Sequence, residues 1–165
     1  MRHGTRGLTV GRIMACWLVV AAAGTAHAQP GSNGQQGGGR LDGTWDVVLT
    51  PYNCSTGVQS APVRELATFN VGGTVIASTS GLGQATKTPG HGVWSHQWGS
   101  TYAYTYKFFR FDASGAPNGW AVVHQEAVLD PSGDQYTSQG GIDFYNASGG
   151  YLFSGCSTTT ATRFQ

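Results

Sequence analysis

The sequence predicts an all-β domain: an eight-stranded, antiparallel, up-and-down barrel closed by one disulfide. Short β-rich runs separated by Gly, Pro, Asn and Asp recur along the chain, and no helical periodicity lasts longer than about two turns. Hairpin-length connections between successive runs favour a meander, and about eight strands close into a small barrel. The first and last segments of the domain each carry one cysteine, Cys54 and Cys156.

Residues 1–28 have the features of a secretory signal peptide. Three arginines form a positive n-region, a short apolar run follows, and Ala26-His27-Ala28 is a small-x-small cleavage site. The apolar run is shorter than the about 20 residues that a membrane span needs. We therefore expect export to the periplasm or the extracellular space, with no membrane span.

The mature chain divides into a linker and one domain. Residues 29–40 are rich in Gly, Gln, Ser and Asn, so we expect a disordered linker before a barrel domain at 41–165. Removing the three leader arginines leaves six basic and eight acidic residues, a net charge of −2. No basic run is visible, so we expect no nucleic-acid partner.

The predicted strands follow one another between turn-forming residues. They span 44–50, 63–71, 74–79, 93–98, 101–111, 119–129, 135–145 and 151–164. The longest irregular connection, 80–92, holds five Gly or Pro residues together with Lys87 and His91. It is either a surface excursion or a binding loop that brings His91 to a ligand.

The hairpin around Gly99-Ser100 is rich in aromatic residues. A two-residue turn with Gly first is expected here. It places aromatic side chains on both faces: Trp94, His96 and Trp98 on one, and Tyr102, Tyr104, Tyr106 and Phe108 on the other. One face must line the interior, while the other covers something or meets a partner.

The next hairpin supplies the candidate ligand-binding residues. Residues 130–134 (Asp-Pro-Ser-Gly-Asp) predict a three-residue loop in which Asp130 faces Asp134. We expect the more apolar face of this hairpin to point inward. That face carries Trp120, His124, Glu126, Tyr136 and Ser138.

The last strand is rich in hydroxyl groups. Residues 146–150 predict a second turn of the same kind. It places these side chains inward: Leu152, Ser154, Cys156, Thr158, Thr160 and Thr162. Such an interior is either a small core with satisfied hydroxyls and buried water, or a cavity lined for a ligand that needs hydrogen bonds.

Two positions far apart in the chain suggest how the barrel closes. Gly43-Thr44-Trp45 opens the first strand, and Arg163 lies near the end of the last. This arrangement resembles the calycin pattern of lipocalins, which implies that Trp45 plugs one end and Arg163 stacks on the indole. These roles are structural. The stretch from Thr44 to Cys156 also resembles uncharacterised exported bacterial proteins, a likeness that implies no activity.

Cys54 and Cys156 predict a single disulfide, because they are the two cysteines left after export. Placing them opposite each other pairs the first strand with the last and sets Val47 opposite Arg163. Cys54 does not share the parity of the inward Trp45. We therefore expect a bulge or a strand end near Pro51.

His124 and Glu126 are the residues that could support chemistry. They are either a general base with its partner or a buried hydrogen-bonded pair that fixes the strand register. Neither a metal site nor a cofactor is predicted.

We expect an exported, non-catalytic barrel that binds a small, partly apolar molecule. The alternatives are a structural or protein-interaction barrel without a ligand, and a cofactor-free enzyme that uses His124 and Glu126.

Overall fold

A computed structural model describes residues 40–165, and within them the chain forms a closed barrel of eight antiparallel strands. Consecutive strands pair with each other, and the last pairs with the first. The predicted all-β barrel is confirmed. The predicted leader, 1–28, and the predicted linker up to residue 39 lie outside the described residues.

The observed strands lie close to the predicted ones. They are β1 (Gly43–Tyr52), β2 (Val63–Asn70), β3 (Thr74–Thr79), β4 (Gly90–Trp98), β5 (Thr101–Phe111), β6 (Pro117–Leu129), β7 (Gln135–Tyr145) and β8 (Tyr151–Arg163). The connection between β3 and β4 contains a short 3-10 turn, Gln84–Thr86. In the part of the chain that the structure describes, no helix has the length and apolar character needed to cross a membrane.

The predicted inward face of β6 is wrong. Its buried residues are Gly119, Ala121, Val123, Gln125, Ala127 and Leu129. His124 and Glu126 are exposed on the outer wall, and Trp120 is half-buried there. Both faces of β6 carry apolar side chains, so the hydrophobic pattern did not identify the inner face.

The loop between β6 and β7 explains this error. Leu129 pairs with Tyr136, so the loop is one residue longer than predicted. The Asp130 carboxylate accepts hydrogen bonds from the backbone N–H groups of Gly133 and Gln135. These contacts stabilise the longer loop, and the extra residue moves every partner on β6 by one position.

A bulge changes the inward face of β8. The turn from Asn146 to Gly150 forms as predicted, with Gly149 in the left-handed region at φ 89°. The pairing then shifts by one residue between Tyr145 and Phe144. The predicted inward positions of β8 (Leu152, Ser154, Cys156, Thr158, Thr160 and Thr162) are therefore wrong. The buried residues are Ser157, Thr159 and Ala161.

A second bulge, between His96 and Trp98, brings aromatic residues together on the inner side of β4 and β5. Trp94 pairs with Tyr104, so these side chains share a face rather than lying on opposite faces as predicted. Tyr102, Tyr104, Tyr106 and Phe108 line the interior.

The predicted disulfide is confirmed. Cys54 and Cys156 are bonded, with their Cα atoms 5.2 Å apart. β1 ends at Tyr52, as the parity of Cys54 required. Because Tyr52 pairs with Cys156, the bond joins residues that are offset along the seam, and Arg163 lies opposite Trp45 rather than Val47.

Candidate functional site

The end of the barrel that holds Trp45 is closed. Trp45 is fully buried, its Nε1 donates a hydrogen bond to the Leu41 carbonyl at 2.9 Å, and its ring meets the edge of Tyr136. The guanidinium of Arg163 lies 4.3 Å from the indole. The predicted contact between Trp45 and Arg163 is therefore present, and the pair plugs this end.

Arg163 also joins the segment before β1 to the loop between β6 and β7 at the closed end. Its guanidinium donates hydrogen bonds to three backbone carbonyls, those of Arg40, Asp42 and Gly133. At Gly43, a Cβ atom would lie 2.6 Å from Nη1 of Arg163, and the backbone φ is 126°. Glycine is thus required at position 43 for the arginine to reach across the plug.

The opposite end of the barrel opens into a cavity of about 410 Å³, here called the open-end cavity. Its apolar lining consists of Leu49, Pro51, Val63, Leu82, Phe108, Val123, Ile142 and Phe144. Tyr106 and Ser157 also line it. Because Ile142 and Phe144 remain partly exposed, apolar surface at this end is left uncovered.

A larger depression, of about 860 Å³, lies near the turns at the closed end. Much of its lining is turn backbone and outward side chains such as Val128, Thr137 and Thr160. It also includes the buried Leu129, Tyr136 and Ala161, and it lies at the plugged end, whereas the open-end cavity lies at the end away from Trp45.

A buried carboxyl group lies beside the open-end cavity. Glu65 is only 3% exposed, and the Tyr106 hydroxyl donates a 2.7 Å hydrogen bond to its Oε2. Burial raises the pKa of Glu65 to about 7, although the Tyr106 hydrogen bond and the charge of Lys87 favour ionisation. Lys87 is 6% exposed, and burial lowers its pKa.

A second polar cluster runs through the middle of the barrel. Nε2 of Gln125 donates to Ser157 Oγ at 2.7 Å, and its Oε1 accepts from Ser138 Oγ at 3.0 Å. Ser138 Oγ also contacts the hydroxyls of Thr159 and Tyr104. This cluster reaches the open-end cavity at Ser157.

The Tyr136 hydroxyl is the exception among these buried groups. Within residues 40–165 it is the buried side-chain polar atom that makes no well-formed hydrogen bond. It interacts weakly with the Tyr104 hydroxyl, and electrostatically with Glu65. The interior is thus polar at several points without every group being fully satisfied.

The predicted ligand-binding residues do not converge on one cavity. Trp120, His124, Glu126 and His91 lie on the outer wall. Tyr136 and Ser138 do face the interior, but neither lines the open-end cavity.

His124 instead lies on the outside near Asp143, with 3.8 Å between Nδ1 and Oδ2. Asp143 in turn accepts a hydrogen bond from Ser154. Neither role considered for His124 and Glu126 is therefore correct. They are not a general base and its partner in a pocket, nor a buried pair that fixes the register.

The outer wall carries an aromatic cluster. The Lys107 ammonium lies 4.2 Å from the Trp120 ring and 5.3 Å from the Phe109 ring. The ring of Trp120 is stacked on Tyr145, with centroids 5.7 Å apart. Trp120, which was predicted to bind a ligand in the interior, is therefore part of an external surface.

Sequence reasoning missed Glu65, Tyr106, Gln125 and Ser157 as site residues. A signal for Glu65 was present, because it alternates with Ala67 and Phe69, which have the character of an inward face. Ser157 had no such signal, because both faces of its strand are rich in hydroxyl groups.

Comparisons with protein-family models, curated proteins and solved structures find no match to this chain.

Proposed function

We propose that this chain is an exported barrel that binds a small, largely apolar molecule in the open-end cavity without transforming it. The observation that carries the proposal is a cavity of about 410 Å³ at one end of a barrel whose other end is plugged by Trp45. Ligand sites in proteins typically have volumes of about 300–1,000 Å³ and mostly apolar walls with a few polar groups.

The driving force would be burial of apolar surface. Phe144 and Ile142 are partly exposed at the cavity, and a ligand that covers them removes that surface from water. Such burial contributes roughly 25 cal/mol per Å². The polar groups of Tyr106 and Ser157 would then select the orientation of the ligand.

Binding of the neutral apolar dye N-phenylnaphthylamine, followed by its fluorescence, tests this proposal. Val123 lines the cavity, and its neighbour Val122 faces outward on the same strand. We expect Val123→Phe to fill the cavity and weaken dye binding, while Val122→Phe binds like the unmodified protein. Circular dichroism establishes that both variants are folded. Equal weakening in both variants, or no dye binding to the parent protein, would overturn the proposal.

A second candidate function is an interaction barrel that uses its outer surface. The exposed Phe109 and the neighbouring Trp120 and Tyr145 favour it, because exposed aromatic clusters often mark interfaces. Native mass spectrometry of protein purified from its host separates the two functions. A co-purifying small molecule supports the ligand-binding proposal, and a stable dimer without a ligand supports the interaction barrel.

A further inference from the structure

We infer that the ligand of the open-end cavity presents a neutral hydrogen-bond acceptor, such as a ketone, aldehyde or ester carbonyl oxygen, to the hydroxyl group of Ser157. The inference rests on the proposed function and specifies its ligand class. It follows from the direction in which the protons of the central polar cluster must point.

The side-chain amide of Gln125 determines which hydroxyl groups of the cluster donate and which accept. Its carbonyl oxygen Oε1 can only accept, so Ser138 Oγ, at 3.0 Å, must donate its proton to it. A serine hydroxyl has one proton. Ser138 therefore accepts hydrogen bonds from the hydroxyls of Thr159 and Tyr104, its other two contacts.

The amide nitrogen of Gln125 determines whether the Ser157 hydroxyl donates or accepts. Nε2 of Gln125 can only donate, and it lies 2.7 Å from Ser157 Oγ. The Ser157 oxygen is thus the acceptor in this bond, and its own proton remains to be donated. Among residues 40–165, Ser157 Oγ accepts this bond and the structure gives no bond in which it donates, although Ser157 is only 4% exposed.

Ser157 lines the open-end cavity, so a bound molecule can supply the missing acceptor. The Tyr106 hydroxyl, which also belongs to a lining residue, is already donated to Glu65. Ser157 is therefore the donor that the inner part of the cavity leaves open. A ligand group that can only donate would face the Ser157 proton and could not form a hydrogen bond with it.

The mostly apolar lining of the cavity favours a neutral acceptor over an anion. The charges nearby are of both signs and give no net preference: the Lys87 ammonium acts on Glu65, and the Arg110 guanidinium lies 5.1 Å from the ring of Phe144. The surrounding walls are apolar and offer little solvation to a charge. The ligand class is thus an apolar molecule with an uncharged carbonyl group.

Acetophenone and ethylbenzene are suitable probes, because they share a ring and a similar shape but differ in the carbonyl oxygen. In protein-observed NMR titrations we expect acetophenone to bind about 3- to 10-fold more tightly, the usual range for one neutral hydrogen bond. Ser157→Ala should remove this difference by weakening acetophenone binding alone. Ser154→Ala, on the outer wall of the same strand, is the matched control and should preserve the difference.

Infrared spectroscopy of carbonyl-labelled acetophenone tests the inference in the unmodified protein, whether or not Ser157→Ala folds. We expect the bound carbonyl stretch at lower frequency than in a hydrocarbon solvent. Equal binding of both probes, or a bound carbonyl stretch that is not lowered, would overturn the Ser157 assignment and leave the binding function intact. Failure of both probes to bind, together with failure of the dye, would overturn the proposed function as well.

Discussion

The two ends of the barrel differ in what their inward side chains touch. At the closed end, Trp45 packs on Tyr136, and Arg163 is held by backbone carbonyls. At the open end, Phe144 and Ile142 are partly exposed around a cavity of about 410 Å³. One continuous sheet thus packs its inward side chains fully at one end and leaves apolar side chains partly uncovered at the other.

Removing the plug should have the largest effect on stability. Trp45→Ala should lower the free energy of unfolding by about 3–5 kcal/mol, as large aromatic truncations in cores do. Urea denaturation followed by circular dichroism measures the change. Trp98→Ala is the control, because Trp98 is 63% exposed, and its effect should stay within about 0.5 kcal/mol. A loss below about 1 kcal/mol for Trp45→Ala would contradict the plug.

The disulfide tests how far the open end depends on a covalent link. Replacing both Cys54 and Cys156 with Ala should lower the free energy of unfolding by about 2–5 kcal/mol, because the bond restricts a long loop in the unfolded chain. The two residues are 102 positions apart. The same denaturation experiment, run on reduced parent protein, should give a similar loss. Free thiols at Cys54 and Cys156 in the parent protein would contradict the bond.

Glu65, which lies beside the open-end cavity, should make the free energy of unfolding depend on pH. The pKa of Glu65 is about 7 in the folded protein and 4.5 for a solvated glutamate, so between these pH values the folded form retains a proton that the unfolded form releases. Stability should therefore fall by roughly 3 kcal/mol as pH rises from about 4.5 through about 7, and then level off. Urea denaturation at a series of pH values measures this slope.

Glu65→Gln should flatten the slope, because the amide does not titrate and can still accept the Tyr106 hydrogen bond. Glu126→Gln, an exposed position on the outer wall, is the control and should leave the slope unchanged. An equally steep slope in Glu65→Gln would show that another group is responsible.

The smallest effects on stability are expected from removing the hydroxyl groups of two interior tyrosines, which differ in their hydrogen bonds. Tyr136→Phe removes a buried hydroxyl that makes no well-formed hydrogen bond, so it should be neutral or stabilising by up to about 1 kcal/mol. Tyr104→Phe removes a hydrogen bond to Ser138 and should cost about 0.5–1.5 kcal/mol. Thermal unfolding of the two variants compares them. A larger loss for Tyr136→Phe would mean that its hydroxyl is satisfied.

The strands could be predicted because turn residues mark their ends. Gly99-Ser100 lies between β4 and β5, and Asp130 begins the loop after β6. The faces could not be predicted as well, because each bulge or extra loop residue exchanges the inner and outer side chains of a whole strand. The shift between Phe144 and Tyr145 leaves no clear mark in the sequence.

The candidate site was predicted wrongly for the same reason: a one-residue change in register exchanges the inner and outer faces of a strand. His124 and Glu126 were placed inside because one face of β6 looked more apolar, yet Trp120 on that face belongs to the outer aromatic cluster. Gln125, in contrast, is buried because its amide finds hydroxyl partners on β7 and β8. Such pairings depend on register, which composition alone does not set.

The two faces of β8 differ little in chemistry, which bears on how the register of this strand is fixed. Its inner and outer positions carry almost the same chemistry: Ser157, Thr159 and Ala161 inward, and Thr158, Thr160 and Thr162 outward. A nascent chain therefore gains little free energy by choosing one pairing of this strand over its neighbour. Thiol oxidation makes the choice durable, since a slipped strand turns Cys156 away from Cys54 and leaves both thiols reactive. The covalent bond between Cys54 and Cys156 thus selects one register of a strand whose side chains alone distinguish poorly between two.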